Sequence, residues 1–146
     1  MMKPASLRQA ITASVPHLAR NPEKLHLFVD EGRVVATGAK TLSFEYQYTL
    51  TLIVTDFAAG PDEIMVPVLA WLRANQSELF FNPDQRERGV QFEADILNHT
   101  TVDLALKLPL TERVVVRVAG DGYQVEHPPE PVNENDDPSG WRPEPA

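Results

Sequence analysis

The chain has 146 residues, 42% apolar and 23% charged, the balance of an ordinary soluble domain able to bury about two-thirds of its unfolded surface. Its formal net charge of −8 argues against a nucleic-acid or anionic-membrane binder that relies on bulk electrostatics. With no cysteine there is no disulfide framework, thiol nucleophile or thiolate metal site.

The opening MMKPASLRQAITASV lacks the continuous apolar core of a signal peptide, and no run approaches the ~18 apolar residues that span a bilayer. The expectation is a chain made and folded in a cytoplasm. Residues 4–14 are predicted as a short amphipathic helix. Pro4 suits its first turn, and Leu7, Ala10 and Ile11 share a face. Pro16 should end or kink it, a shorter turn should follow through Arg20, and Asn21-Pro22 should lead into the sheet.

Leu25, Leu27 and Val29 alternate with His26, Phe28 and Asp30, and Arg33 to Thr37 follows as a second predicted strand. Gly32 would supply the positive φ of a hairpin loop between them. Residues 42–57, LSFEYQYTLTLIVTDF, form the longest alternation: Phe44, Tyr46, Tyr48, Leu50, Leu52 and Val54 on one parity, hydroxyls and polar groups on the other. The first half therefore predicts a helix and a three-stranded antiparallel meander.

A second helix is expected after Gly60-Pro61, with Asp62 as N-cap and Ile64, Val68, Trp71 and Leu72 inward, Met65 and Leu69 widening that face. Pro67 conflicts with it by deleting one helical hydrogen bond. Residues 75–89 are a polar excursion carrying Phe80-Phe81. Strands over 90–96, 102–108, 113–118 and 123–126 complete the pattern, with turns at 98–101 and 109–112. The last 20 residues hold six of the 13 prolines and five acids against Arg142 alone, too little to build a core. The expectation is one α+β domain over 1–126, two main helices packed on a mostly antiparallel sheet of six to seven strands, with an extended or disordered tail over 127–146.

Catalytic signatures are missing. His17, His26, His99 and His127 have no metal-ligand spacing, and no nucleophile elbow, phosphate loop or zinc-protease helix occurs. Glu93 and Asp95 share a strand face and form the one carboxylate pair an enzyme or hard cation could use, although alternating polar residues are the ordinary outer side of such a sheet. Arg86 and Arg88 could meet a phosphate, but Asp84 and Glu87 make that loop mixed in charge. Phe80 and Phe81 cannot both point inward from an extended segment, which leaves an interface or a core anchor. Trp141 is the one aromatic of the acidic tail; the expectation is an exposed, mobile side chain, with docking on a partner as the alternative.

The phrases LSFEYQYTLTLIVTDF at 42–57, EIMVPVLAWLRANQSEL at 63–79, FEADIL at 92–97 and TVDLALKLPLTERV at 101–114 resemble the tail completion protein R family of contractile-tailed temperate phages and prophages. KPASLRQAIT at 3–12 and LHLFVDEGRVVATG at 25–38 are also similar to it, so the resemblance runs in order to about residue 118. It implies a non-enzymatic virion protein with a tail-terminator-like fold and no cofactor. It further implies a homo-oligomeric ring, hexameric in the family, at the head-proximal end of the tail, touching tail tube, sheath and head-neck proteins. The rival readings are a head-closure or other neck protein, and a small enzyme using Glu93 and Asp95.

Overall fold

The structure is a computed structural model that describes residues 1–36, 40–87 and 89–129. Helix α1 spans Lys3–Ser14, with Pro4 in the first turn, where an N–H would lack a partner anyway. Leu7 and Ile11, one turn apart, are fully buried. The Val15 N–H closes on the Ile11 carbonyl at 2.9 Å, and Pro16 then opens α2, Pro16–Arg20. A 3-10 turn over Pro22–Lys24 leads into β1, Leu25–Ala36.

β1 is one continuous strand and not the hairpin expected around Gly32. The positive φ belongs to Glu31, at 53°, and from Asp30 to Arg33 β1 advances three residues while β2, Phe44–Phe57, advances two, from Thr49 to Gln47. One extra residue bulges out and the strand twists onward without reversing. The bulge also switches parity. Leu25, Leu27 and Val29 lie opposite Val54, Leu52 and Leu50, and beyond the bulge Val34 and Ala36 lie opposite Tyr46 and Phe44, on that same face. The expected meander is therefore two strands. A second register shift near the end of β2, with Asp56 at φ 49°, turns Phe57 inward although it is off-parity.

Helix α3, Asp62–Asn75, continues through Pro67 and buries Ile64, Val68, Trp71 and Leu72. Its N-cap is Pro61, with no side-chain cap, so Asp62 is the first helical residue and not the cap. A carboxylate in that turn still complements the helix dipole. The Trp71 indole N–H donates to Ser6 Oγ at 3.0 Å, tying α3 to α1. Two single turns follow, α4 over Glu78–Phe81 and α5 over Pro83–Arg86.

β3, Gln91–Ile96, pairs with the first third of β4, Val102–Ala119. Asn98 shapes the turn between them, its Oδ1 accepting from the Thr100 and Thr101 N–H groups. β4 is a single 18-residue strand, where a turn at 109–112 was expected. Pro109 is tolerated because of its position. Thr111, two residues on, directs its N–H away from β2 to Gln76, so Pro109 faces the same way, where β3 has already ended at Lys107. Its missing N–H breaks no ladder bond. β5, Gly122–Glu126, folds back on the end of β4 through Gly120, whose φ is 58°. The Val116 N–H is taken by Ser43 Oγ on the β2 side, so β5 uses the opposite edge of β4, the edge that β3 occupies farther back.

Among the described residues the sheet is thus a curled, wholly antiparallel one of five strands, ordered β1-β2-β4-β3 with β5 on β4. Two predicted turns that are strands account for the difference from six to seven. The core lies where α1 and α3 cover the face bearing Leu50, Leu52, Val54, Leu104, Leu106 and Leu108. β5 ends at Glu126, and all but the first three residues of the expected tail lie outside the described residues.

Candidate functional site

Glu93 and Asp95 lie on exposed β3, and Asp95 sits directly opposite Asp103. Asp103 uses its Oδ1 to accept the Asp56 N–H at 2.7 Å, a structural task at the β2 bulge. Among the described residues no group of His, Cys, Asp and Glu is placed to hold a metal. A hollow of about 650 Å³ lies between α4–α5 and the stretch of sheet where β4 has lost β3. Its lining includes Glu31, Arg33, Glu78 and Asp84 and contains no histidine, serine or cysteine, so it offers no histidine-assisted nucleophile.

The strongest polar constellation is buried and fully partnered. Glu112 points inward from β4, and its Oε2 accepts the Tyr48 hydroxyl at 2.5 Å. Its Oε1 accepts the N–H groups of Met2 at 2.7 Å and Lys3 at 3.3 Å, satisfying donors that the first turn of α1 cannot satisfy itself. Lys3 Nζ donates to Gln76 Oε1 and to the Thr111 carbonyl, each at 2.6 Å. Gln76 also accepts the Thr111 N–H at 3.1 Å, and so seals the edge of β4 that β3 leaves open. Burial first, then the hydrogen bond to Glu112 and its negative charge, push the Tyr48 phenol far above its ordinary value. These groups clamp α1, α3 and β4 together. The signal for them was a carboxylate on the inward parity of Leu108, Leu110 and Val114, hidden by taking 109–112 as a turn.

The sequence-predicted interface residues separate. Phe80 and Phe81 sit on the helical turn α4, not on an extended segment, so Phe80 packs against the core while Phe81 is exposed. They border a depression of about 400 Å³ with Leu69, Ala70 and Arg73 of α3. Leu69, expected to widen the buried face, is on the outer one, in line with exposed Val66 and Ala70. Arg86 is exposed on α5 and does not line that depression. Arg88 and Trp141 lie outside the described residues.

A larger open surface lies on the sheet itself. Beyond the helices the core-bearing face continues through Phe44 and Tyr46 to the β4–β5 hairpin. There Val34, Val118, Tyr123 and Val125 are 59%, 79%, 65% and 53% exposed. At the opposite corner Phe92 and Ile96 of β3 are exposed on that same face, opposite Leu106 and Val102. Among the described residues no helix is long and apolar enough to cross a membrane.

The sequence profile of the P2 phage tail completion protein R (GpR) family matches residues 1–131. The tail completion protein R of Escherichia phage P2 is 44% identical over 137 residues, covering 90% of this chain and 88% of that protein. No solved structure matches the chain.

Proposed function

The chain belongs to the P2 phage tail completion protein R family, and from that premise we propose that it is a ring-forming structural subunit that completes the head-proximal end of a contractile tail. Its structural role in phage tail completion follows from the family. The ring, hexameric as the family resemblance implies, its position and its contacts with tube, sheath and neck proteins are our reading, as is its likeness to tail terminators. The observation that carries the reading is a family match running unbroken through every described element.

The geometry supports an assembly part over a catalyst. The titratable groups that are buried are consumed in the clamp, and Glu93 and Asp95 are spread along an exposed strand. The open apolar faces are the kind of surface an assembly covers. The net charge of −8 suits a subunit beside a channel through which DNA must slide without sticking.

Deletion of the gene in the producing phage or prophage, with imaging of the particles, tests this. Filled heads beside unjoined or abnormally long tails are expected. Normal complete particles would remove the reading.

A further inference from the structure

The depression of about 400 Å³ beside α3 is bordered by Leu69, Ala70 and Arg73 and by Phe80 and Phe81 of α4. Leu69 and Phe81 are exposed there, while Phe80 packs against the core. Two aromatic rings, an aliphatic side chain and one guanidinium thus border the same hollow. That set suits a large aromatic side chain with carboxylates near it. Ring-to-ring contact adds to the gain from burial, and a guanidinium attracts carboxylates.

The chain itself holds such a segment. In residues 130–146 the one aromatic is Trp141, and Asp136, Asp137 and Glu144 lie within five positions of it, against the single cation Arg142. The path of the chain brings this segment to α3. β5 returns from the open end of the sheet until Glu126 lies opposite Val115. His127, Pro128 and Pro129 then border a hollow with Lys3, Ser6 and Asn75. Asn75 is the last residue of α3, about 9 Å along the axis from Leu69 at ~1.5 Å per residue. Trp141 follows Pro129 by twelve residues, an extended reach of about 40 Å. By that point the chain is heading away from the other open apolar surface, around Val118 and Tyr123.

We propose that Trp141 seats in the depression of its own chain, with the neighbouring acids facing Arg73, so that the C-terminal segment covers the outer side of α3. The contact goes beyond the tail-assembly reading and does not depend on it.

The two tryptophans of the chain make a direct test. Full-length protein carrying 5-fluorotryptophan gives two fluorine resonances, assigned to Trp71 and Trp141 with Trp141→Phe. A peptide of residues 127–146 with the same label gives the position of the free side chain. In the full chain the Trp141 resonance should be displaced from the peptide's and should lose most of its H2O-to-D2O shift. Phe81→Ser and, separately, Leu69→Ser should return it to the peptide's position. The Trp71 resonance and the melting midpoint should hold in both, since both altered side chains are exposed. A Trp141 resonance at the peptide's position in the parent protein would overturn the proposal. So would a displaced resonance that neither substitution moves, because Trp141 would then lie elsewhere. Displacement that fades on dilution would assign the contact to a neighbouring copy and overturn docking within one chain.

Discussion

The two halves of β2 and β4 carry the same alternation to opposite ends. Around Leu50, Leu52, Leu106 and Leu108 the inward parity is sealed under α1 and α3. Around Phe44, Val116, Val118 and Val125 the same face runs out from under the helices toward solvent. Alternation marks which face of a strand is apolar, and only the reach of the helices determines whether that face becomes core or contact surface. Tyr48 and Glu112 mark the seam between the halves, where the buried leucines of the sheet give way to a hydrogen-bonded polar pair.

Leu52→Ala should widen the contrast most. The side chain is fully buried, and its truncation should lower stability by about 2–5 kcal/mol. A thermal melt close to the parent's would mean that the covered half is not the folding core.

The seam should show a smaller, pH-dependent effect. Folding holds the Tyr48 phenol protonated well above its ordinary value, so the unfolded chain loses that proton first as the pH passes roughly 10. This contribution is fully present below that pH and is lost as alkalinity increases. Tyr48→Phe should cost about 1.5–3 kcal/mol at neutral pH, by removing one hydrogen bond to the buried, charged Glu112. It should also flatten the alkaline decline in denaturant-unfolding free energy. A parallel decline in both proteins would show that the buried phenol is not its source.

Val118→Thr should change least, within about 0.5 kcal/mol, because the side chain has little packing to lose. A markedly lower melting midpoint would show that the open end is packed within the monomer, and the contrast between the halves would collapse.

The inward parity is legible from residues alone: Leu50, Leu52 and Val54 share the expected apolar parity, Leu72 is on the expected inward face of its helix, and all four are buried. Continuity is not. Gly32 and Pro109 are strong local turn signals, overridden because a bulge absorbs one and a vacated strand edge accommodates the other. Of the candidate interface residues, Phe81 is exposed and Phe80 packs against the core, and the exposed stripe of α3 was not read from the sequence. Leu69 matches the apolar spacing of a buried face, and what separates it from Leu72 is where α1 and the sheet lie. Coverage is tertiary, and no spacing rule within one segment contains it.

The bonds from Glu112 to the N–H groups of Met2 and Lys3 join residues 110 and 109 positions apart. During synthesis at about 5–20 residues per second, the carboxyl group that anchors α1 leaves the ribosome roughly 5–20 seconds after α1 itself. Until then Leu7 and Ile11 have no completed sheet to lie on. The first helix to be made is thus among the last to be secured, and the nascent chain must carry that exposed face until β4 has been translated.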